Sequence, residues 1–344
     1  MPNYIAVDCG KFETKVNAKI EGKKDILQFK LRTKMSKGIF ADDMIKQNTV
    51  ITQVDGEEIL MYGFGASTEP SMETSKKTDI HRIGTMTAIA IALGEGTFDD
   101  VYVAIGVPLA ISGNPAERMA YKDFILGPDN ATHTVNYKAK SDGPVQSVTF
   151  TIRKRFVYPE GSGVLWVYPS MLEKTSNAII DIGNVNSTCV FAQGLLPEES
   201  MCFSNEYGGK SLIAGLSMAL ESELGSRVSE SLVASVLTKQ NEDRRLISVR
   251  GDKSVEERSA QIIADYTLNH VKMIRQQCDI HHWPIDFSNV VCVGGTSRLL
   301  LSELKTVFGE TAFVPENQEY MNVIGFLKRM CASLGVDIKA SKAA

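Results

Sequence analysis

The sequence predicts an α/β protein in which one structural plan is written twice. Ile5-Ala6-Val7-Asp8-Cys9-Gly10 and Ile179-Ile180-Asp181-Ile182-Gly183 are both apolar, β-branched runs ending in Asp-x-Gly, and polar residues and a second strand-like stretch follow each. A third apolar run, Val290-Val291-Cys292-Val293, ends in Gly294-Gly295-Thr296 and leads into a helical pattern. Length agrees with a duplication, because 344 residues is a little over twice the ~150 typical of one domain.

Taken in order, the first half opens as a β-meander. Ile5 to Asp8 is a buried strand, Lys15-Val16-Asn17-Ala18-Lys19-Ile20 alternates as a second, Glu21-Gly22-Lys23 turns, and Ile26 to Leu31 returns as a third. Residues 79–93 have apolar side chains at helical spacing, with Asp79 as a capping candidate and Gly94 just past the end. Val101 to Val107 reads as a buried strand stopped by Pro108, and Val145 to Val157 alternates as a hairpin arm after the turn at Gly143-Pro144. The second half repeats the meander in Thr188-Cys189-Val190-Phe191, a turn at Gln193-Gly194, and Met201-Cys202-Phe203. Helices are expected over 211–224, 229–237, 255–278, 298–308 and about 321–334, with a disordered tail over 339–344.

Composition narrows the function. Hydrophobic residues at 43% and charged residues at 23% describe an ordinary globular chain. A net charge of −4 without a dense Lys/Arg block argues against a direct nucleic-acid face, so a link to DNA would need an adaptor. No apolar stretch approaches the ~20 residues of a membrane span, and the N-terminus lacks a basic-then-apolar leader, so a cytoplasmic location without membrane contact is expected. The six cysteines are scattered with no Cys-x-x-Cys, which favours buried thiols over a disulfide framework or zinc site. His281-His282 has no acidic or cysteine partner at ligand spacing and reads as a solvated turn before Trp283-Pro284.

The two Asp-x-Gly turns carry the chemistry. At a strand end the aspartate projects outward, and the glycine lets the backbone come close enough for amides to face an anion. One such turn is commonplace, since Asp and Gly are frequent turn residues. Two in the same meander order, with Gly-Gly-Thr after a third strand, suggest jaws on one phosphate chain.

The order Asp8-x-Gly10, Asp181-x-Gly183, Gly294-Gly295-Thr296 and a last helix with Val323-Ile324-Gly325-Phe326 resembles the actin, Hsp70 and sugar-kinase superfold. Within it the chain is most similar to the bacterial actin-like plasmid-segregation ATPases of the ParM type, over essentially its whole length. The resemblance implies two duplicated ribonuclease-H-like domains around a nucleotide cleft: domain I over 1–165, completed by a helix over 321–338, and domain II over 166–320. It also implies Mg²⁺ and ATP, with GTP acceptable because nothing identified reads the base edge.

By the same resemblance, Asp8, Gly10, Lys11, Phe12, Glu13, Thr14 and Lys15 form the first phosphate loop. Amides of residues 10–13 would hold oxygens, and Lys11 or Lys15 would supply positive charge. Phe12-Glu13 departs from the small hydroxyl residues common there. The second loop contributes Asp181, Gly183, Asn184 and Asn186, and Asp8 and Asp181 would share the magnesium ion's water shell. Glu206, Gly208, Gly209 and Lys210 would meet ribose and base. Gly294, Gly295 and Thr296, with Arg298 opening the next helix, would pass beneath them. Glu160, in Tyr158-Pro159-Glu160-Gly161-Ser162-Gly163, falls where this family keeps its water-activating glutamate; by sequence alone it reads equally as a solvated loop carboxylate.

The implied function is an ATPase that polymerises with ATP, disassembles on hydrolysis and drives plasmid DNA segregation, with itself and a ParR-type DNA-binding adaptor as partners. A small-molecule kinase of the same superfold is the alternative, although residues 101–114 offer no convincing catalytic aspartate. A cell-shape protein of the MreB kind should carry a membrane-binding segment, whereas this chain starts on its first strand.

Overall fold

A computed structural model describes residues 2–38, 40–45, 47–71, 75–239, 245–248 and 252–338. The tail expected over 339–344 lies outside them. The chain divides into two compact units, the first within 1–168 and 320–344, the second within 169–319.

In the first unit the strands are β1 (Asn3–Cys9), β2 (Glu13–Lys19), β3 (Leu27–Arg32), β4 (Met35–Lys37), β5 (Thr49–Val54), β6 (Leu60–Gly63), β7 (Gly96–Val107), β8 (Thr132–Lys138) and β9 (Gln146–Pro159). They form one sheet in the order β3-β2-β1-β7-β9-β8-β5-β6-β4, in which β1, β7 and β9 run parallel. Alternation sends Ile5 and Val7 to one face, against α1 (Asp79–Leu93), α2 (Leu109–Ser112) and α3 (Pro115–Leu126). Tyr4 and Ala6 point to the other face and pack with Ala104, Tyr158, Val323, Phe326 and Met330. The last three belong to the C-terminal helix, Met321–Ser333, which shares this face with α4 (Gly163–Val167). Each large apolar side chain buried here contributes about 1.5–3 kcal/mol.

Helix α1 has the expected bounds, but its N-cap is Thr78. Asp79 occupies the first turn, where the helix dipole favours a negative charge. Strands β4, β5, β6 and β8 and helix α3 have no counterpart among the expected elements. The start of α3 does carry a local signature: Asn114 caps it by accepting from Ala116 N and Glu117 N, and Pro115 opens the first turn.

In the second unit α5 (Pro169–Leu172) precedes β10 (Ser176–Ile182), β11 (Ser187–Gln193), β12 (Leu196–Pro197) and β13 (Phe203–Asn205); α6 (Gly209–Leu224), α7 (Glu230–Leu237), α8 (Lys253–Ile280), β14 (Asn289–Val293) and α9 (Leu301–Phe308) follow. The sheet order is β12-β11-β10-β14, with β13 on β11 and β10 parallel to β14. Ala178, Ile180, Ile182 and Cys292 meet Leu212 and Leu216 of α6 and Ile263, Val271 and Ile274 of α8 in one core. The strand expected at 201–203 is instead a 3₁₀ turn, Glu199–Met201, running into β13. His281-His282 forms the expected turn, with His282 exposed and His281 half-buried, its ring stacked on Phe203 with centroids 3.9 Å apart. Among the described residues no helix is long and apolar enough to cross a membrane.

Candidate functional site

The two Asp-x-Gly turns close in the same way. Asp8 lies opposite Lys15 across the β1–β2 pair, and Asp181 lies opposite Thr188 across β10–β11. Gly10 N donates to Glu13 O at 3.0 Å, and Gly183 N donates to Asn186 O at 3.0 Å. A Cβ on either glycine would stand 3.0 Å from that same carbonyl oxygen, so both turns select glycine by close approach rather than by a left-handed backbone.

A second correspondence lies on the neighbouring parallel strand. In the first unit a Cβ on Gly106 would stand 3.4 Å from Asp8 Oδ1, 3.3 Å from Glu160 Cγ and 3.2 Å from Phe326. In the second unit a Cβ on Gly294, at φ +88°, would collide with Asp181 Oδ1 and the Ile182 carbonyl. Each aspartate therefore projects from a strand end into space left by a glycine at the end of the adjacent parallel strand.

Around Asp8 the first unit gathers a polar cluster. Strands β1, β7 and β9 end side by side, and the alternation that points Tyr158 toward the C-terminal helix brings Glu160 to the same face. Glu160 N donates to Val107 O at 2.9 Å, and the buried Lys76 donates from Nζ to Glu160 Oε1 at 2.6 Å. Asn322, in the first turn of the C-terminal helix, donates from Nδ2 to Asp8 Oδ2 at 3.2 Å and accepts from Gly161 N at 3.1 Å. Burial, with the charge of Asp8 adding, pushes the Glu160 carboxyl above the usual range; Lys76 and Lys11 pull it back in part. Burial opposes the Lys76 ammonium, but Glu160 and Asp8 outweigh it and hold its pKa above the ordinary value. His81 on α1 is held down to about 3 by burial and by Lys76 and Lys11; Nδ1 meets Thr78 Oγ1 at 2.7 Å, whereas buried Nε2 has no protein partner.

In the second unit three segments distant in sequence are tied to one another. Gly209 N donates to Gly183 O at 3.0 Å and Lys210 N to Asn184 O at 2.6 Å, so the start of α6 holds the Asp181 turn. Ser187 Oγ donates to Tyr207 O at 2.6 Å. Thr296 N donates to Ile182 O at 3.1 Å, and its hydroxyl donates to Gly183 O at 2.9 Å. Gly208 packs against the Val185–Asn186 peptide, where a Cβ would come within 2.5 Å of backbone.

These contacts reassign several of the residues singled out by sequence. The amides of Gly10 and Gly183 close their own turns rather than facing outward, and those of Gly209 and Lys210 donate to Gly183 O and Asn184 O. Thr14 points into the core, its hydroxyl 2.7 Å from Tyr62 OH, 3.0 Å from Thr33 Oγ1 and 3.1 Å from Cys9 Sγ, which removes that side chain from a phosphate loop. Phe12 is exposed at the turn with the Arg32 guanidinium 3.0 Å from its ring centroid. Glu13 pairs with Lys30 at 3.1 Å and Lys15 at 3.9 Å, so the Lys15 charge is already answered within β2. Glu206, Lys210, Gly295 and Arg298 are exposed. Lys76 and Asn322 are not among the residues that the sequence singles out. Lys76 precedes α1 in a polar stretch without a motif, and Asn322 looks like any first-turn asparagine.

Among the described residues no group of three His, Cys, Asp or Glu side chains could hold a metal ion. Carboxylate oxygens such as those of Asp8 and of Asp181 are hard donors of the kind that suit a cation keeping most of its water, and they do not make a protein-built cage.

Residues 6–163 match the family described as the N-terminal domain of actin-like proteins. Among solved structures, the archaeal actin homologue Ta0583 in complex with ADP is similar at 19% identity and a TM-score of 0.70, over 96% of this chain and 99% of that one. The Alp12 filament structure is similar at 23% identity and 0.70, over 96% and 99%. The apo pSK41 ParM protein is similar at 11% and 0.70, over 97% and 98%. Among curated proteins none matches. The chain has an actin-like fold.

Proposed function

We propose that this chain, actin-like in fold and matching the actin-like N-terminal domain family over 6–163, is an ATPase that assembles into filaments with ATP and moves plasmid DNA through an adaptor. The observation that carries the reading is the duplicated turn: Asp8 and Asp181, each set against a glycine, at the ends of two strand pairs closed by matching 3.0 Å hydrogen bonds. Two solved structures of similar fold support the reading, one of them a complex with ADP and the other a filament.

In this reading ATP is held by the 8–15 and 181–188 turns, with Gly295 and Arg298 exposed toward ribose and base. Magnesium, when bound, would neutralise phosphate charge and would be met through water by Asp8 and Asp181. Glu160 accepts the proton of a water molecule as its oxygen attacks the γ-phosphorus; the bond from phosphorus to the β-bridging oxygen breaks, and the electron pair leaves with ADP. A glutamate raised above the ordinary carboxylate range by burial is the stronger base for that step. Differential affinity of ATP and ADP for the assembling conformation then couples hydrolysis to disassembly. A head-to-tail contact that does not close on itself gives a filament. A small-molecule kinase would instead need a second substrate site.

Sedimentation of the purified chain with Mg-ATP, with Mg-ADP and without nucleotide tests the proposal. Pelleting with ATP that fades as phosphate is released supports it. A monomer under all three conditions that transfers phosphate to a small molecule favours the kinase.

A further inference from the structure

We infer that Lys76 is a positioning residue for hydrolysis, acting through the Glu160 carboxylate. The inference rests on the assignment of Glu160 above and adds a residue to it. Glu160 follows the last residue of β9, where its main chain is anchored by the bond from its N–H to Val107 O, but its carboxylate stands at the end of two rotatable methylenes. The partner that fixes Oε1 is Lys76 Nζ at 2.6 Å, and both side chains are mostly buried, at 9% and 13% exposure. A short, charge-assisted bond out of water holds one rotamer far better than an exposed pair would.

The backbone supports a placement that the chain does not adopt for ease. Lys76 has φ +51°, a left-handed conformation uncommon for a long side chain, and 8% of the residue is exposed. A lysine on a surface loop needs neither. The same segment runs directly into α1, where Thr78 is the N-cap and hydrogen-bonds His81 Nδ1, so the helix fixes one end of the lysine's approach. Asp8 is close enough for its charge to act on Lys76, so the ammonium serves both carboxylates of the cluster electrostatically while hydrogen-bonding one. Removing it leaves Glu160 free to rotate away from the line of attack; small displacements of a reacting group can cost up to ~10²-fold in rate.

Steady-state ATPase assays on Glu160→Gln, Lys76→Met, Lys76→Arg and the Lys76→Met/Glu160→Gln double variant test this. Glu160→Gln should lower kcat by about 10²-fold or more. Lys76→Met should lower kcat by on the order of tenfold or more with KM for ATP nearly unchanged, and Lys76→Arg should restore part of it. The double variant should be no slower than Glu160→Gln alone, because the lysine acts only through the glutamate. That comparison also decides the matter if Lys76→Met alone fails to fold, since the double variant leaves no buried charge unpaired. A kcat for Lys76→Met equal to wild type, or a double variant several-fold slower than Glu160→Gln alone, overturns the positioning role. Wild-type turnover in Glu160→Gln would overturn the assignment of Glu160 itself, and the two failures are thereby told apart.

Discussion

Asn322 donates its side-chain amide to Asp8 Oδ2 at 3.2 Å, joining the first turn of the last helix to the end of the first strand, 314 positions apart in sequence. Its carbonyl oxygen accepts from Gly161 N at 3.1 Å, so one side chain bridges the residue after Glu160 and the aspartate on β1. The helix that carries it could not approach otherwise. Gly325 and Gly163 meet backbone to backbone there, where any Cβ would collide.

Replacing Asn322 with Ala should therefore do two separable things. Stability should fall by about 1–3 kcal/mol, because the buried Gly161 N–H loses its acceptor. Hydrolysis should also slow, because Asp8 and the Glu160 segment lose their common tie. Urea unfolding and ATPase assays on the one variant measure both; a fall in stability with unchanged turnover would confine Asn322 to a structural role.

Gly294 and Gly295 should behave differently although they are adjacent. Gly294 has φ +88°, and a Cβ on it would collide with Asp181 and the Ile182 carbonyl, so Gly294→Ala should destabilise the second unit whether or not nucleotide is present. Around Gly295 a Cβ would meet no protein atom within 4 Å, and its φ is not left-handed. The protein itself does not require glycine at 295. Gly295→Val should leave the unfolding midpoint nearly unchanged and weaken ATP binding, as equilibrium titration would show; unaltered affinity would remove Gly295 from the nucleotide contact.

Acid should destabilise the fold through its buried histidines. Burial holds His81 down to about 3 and His270 down to about 4, against about 6.5 for an exposed imidazole. Below pH ~6.5 the unfolded chain binds protons that the folded chain refuses, so stability is fully present above that value and is lost as pH falls toward 4 and then 3. Glu160, with its carboxyl raised by burial, opposes the trend in part. Urea midpoints at pH 7.5, 6 and 5 should decline in that order, less steeply in His270→Gln; a flat series would contradict the assignment of buried neutral histidines.

Much of this architecture is legible in the residues because it rests on local patterns. The runs before Asp8 and Asp181 alternate or stay apolar as buried strands must, and α1 begins and ends where its apolar spacing and Gly94 place it. The polar cluster is less legible, because it is made by distance in sequence. Nothing near Lys76 announces that it will meet Glu160, 84 positions later, or near Asn322 that it will meet Asp8. Thr14 shows the converse: it sits inside an apparent phosphate loop, yet strand alternation turns it toward Tyr62 and the core. Strands β4 and β6, at one end of the sheet, are not legible in the sequence because Met35–Lys37 and Leu60–Gly63 are too short for a period to register.

The proposed function requires that Asp8 and Asp181 both contribute to binding Mg-nucleotide. Isothermal titration of ATP with magnesium into the wild-type chain and into Asp8→Ala and Asp181→Ala tests it most directly. One site per chain, weakened in both variants and weakened in the wild type when EDTA removes the metal, is the predicted result. No ATP binding by a folded wild-type chain, or affinity indifferent to either aspartate, would contradict it.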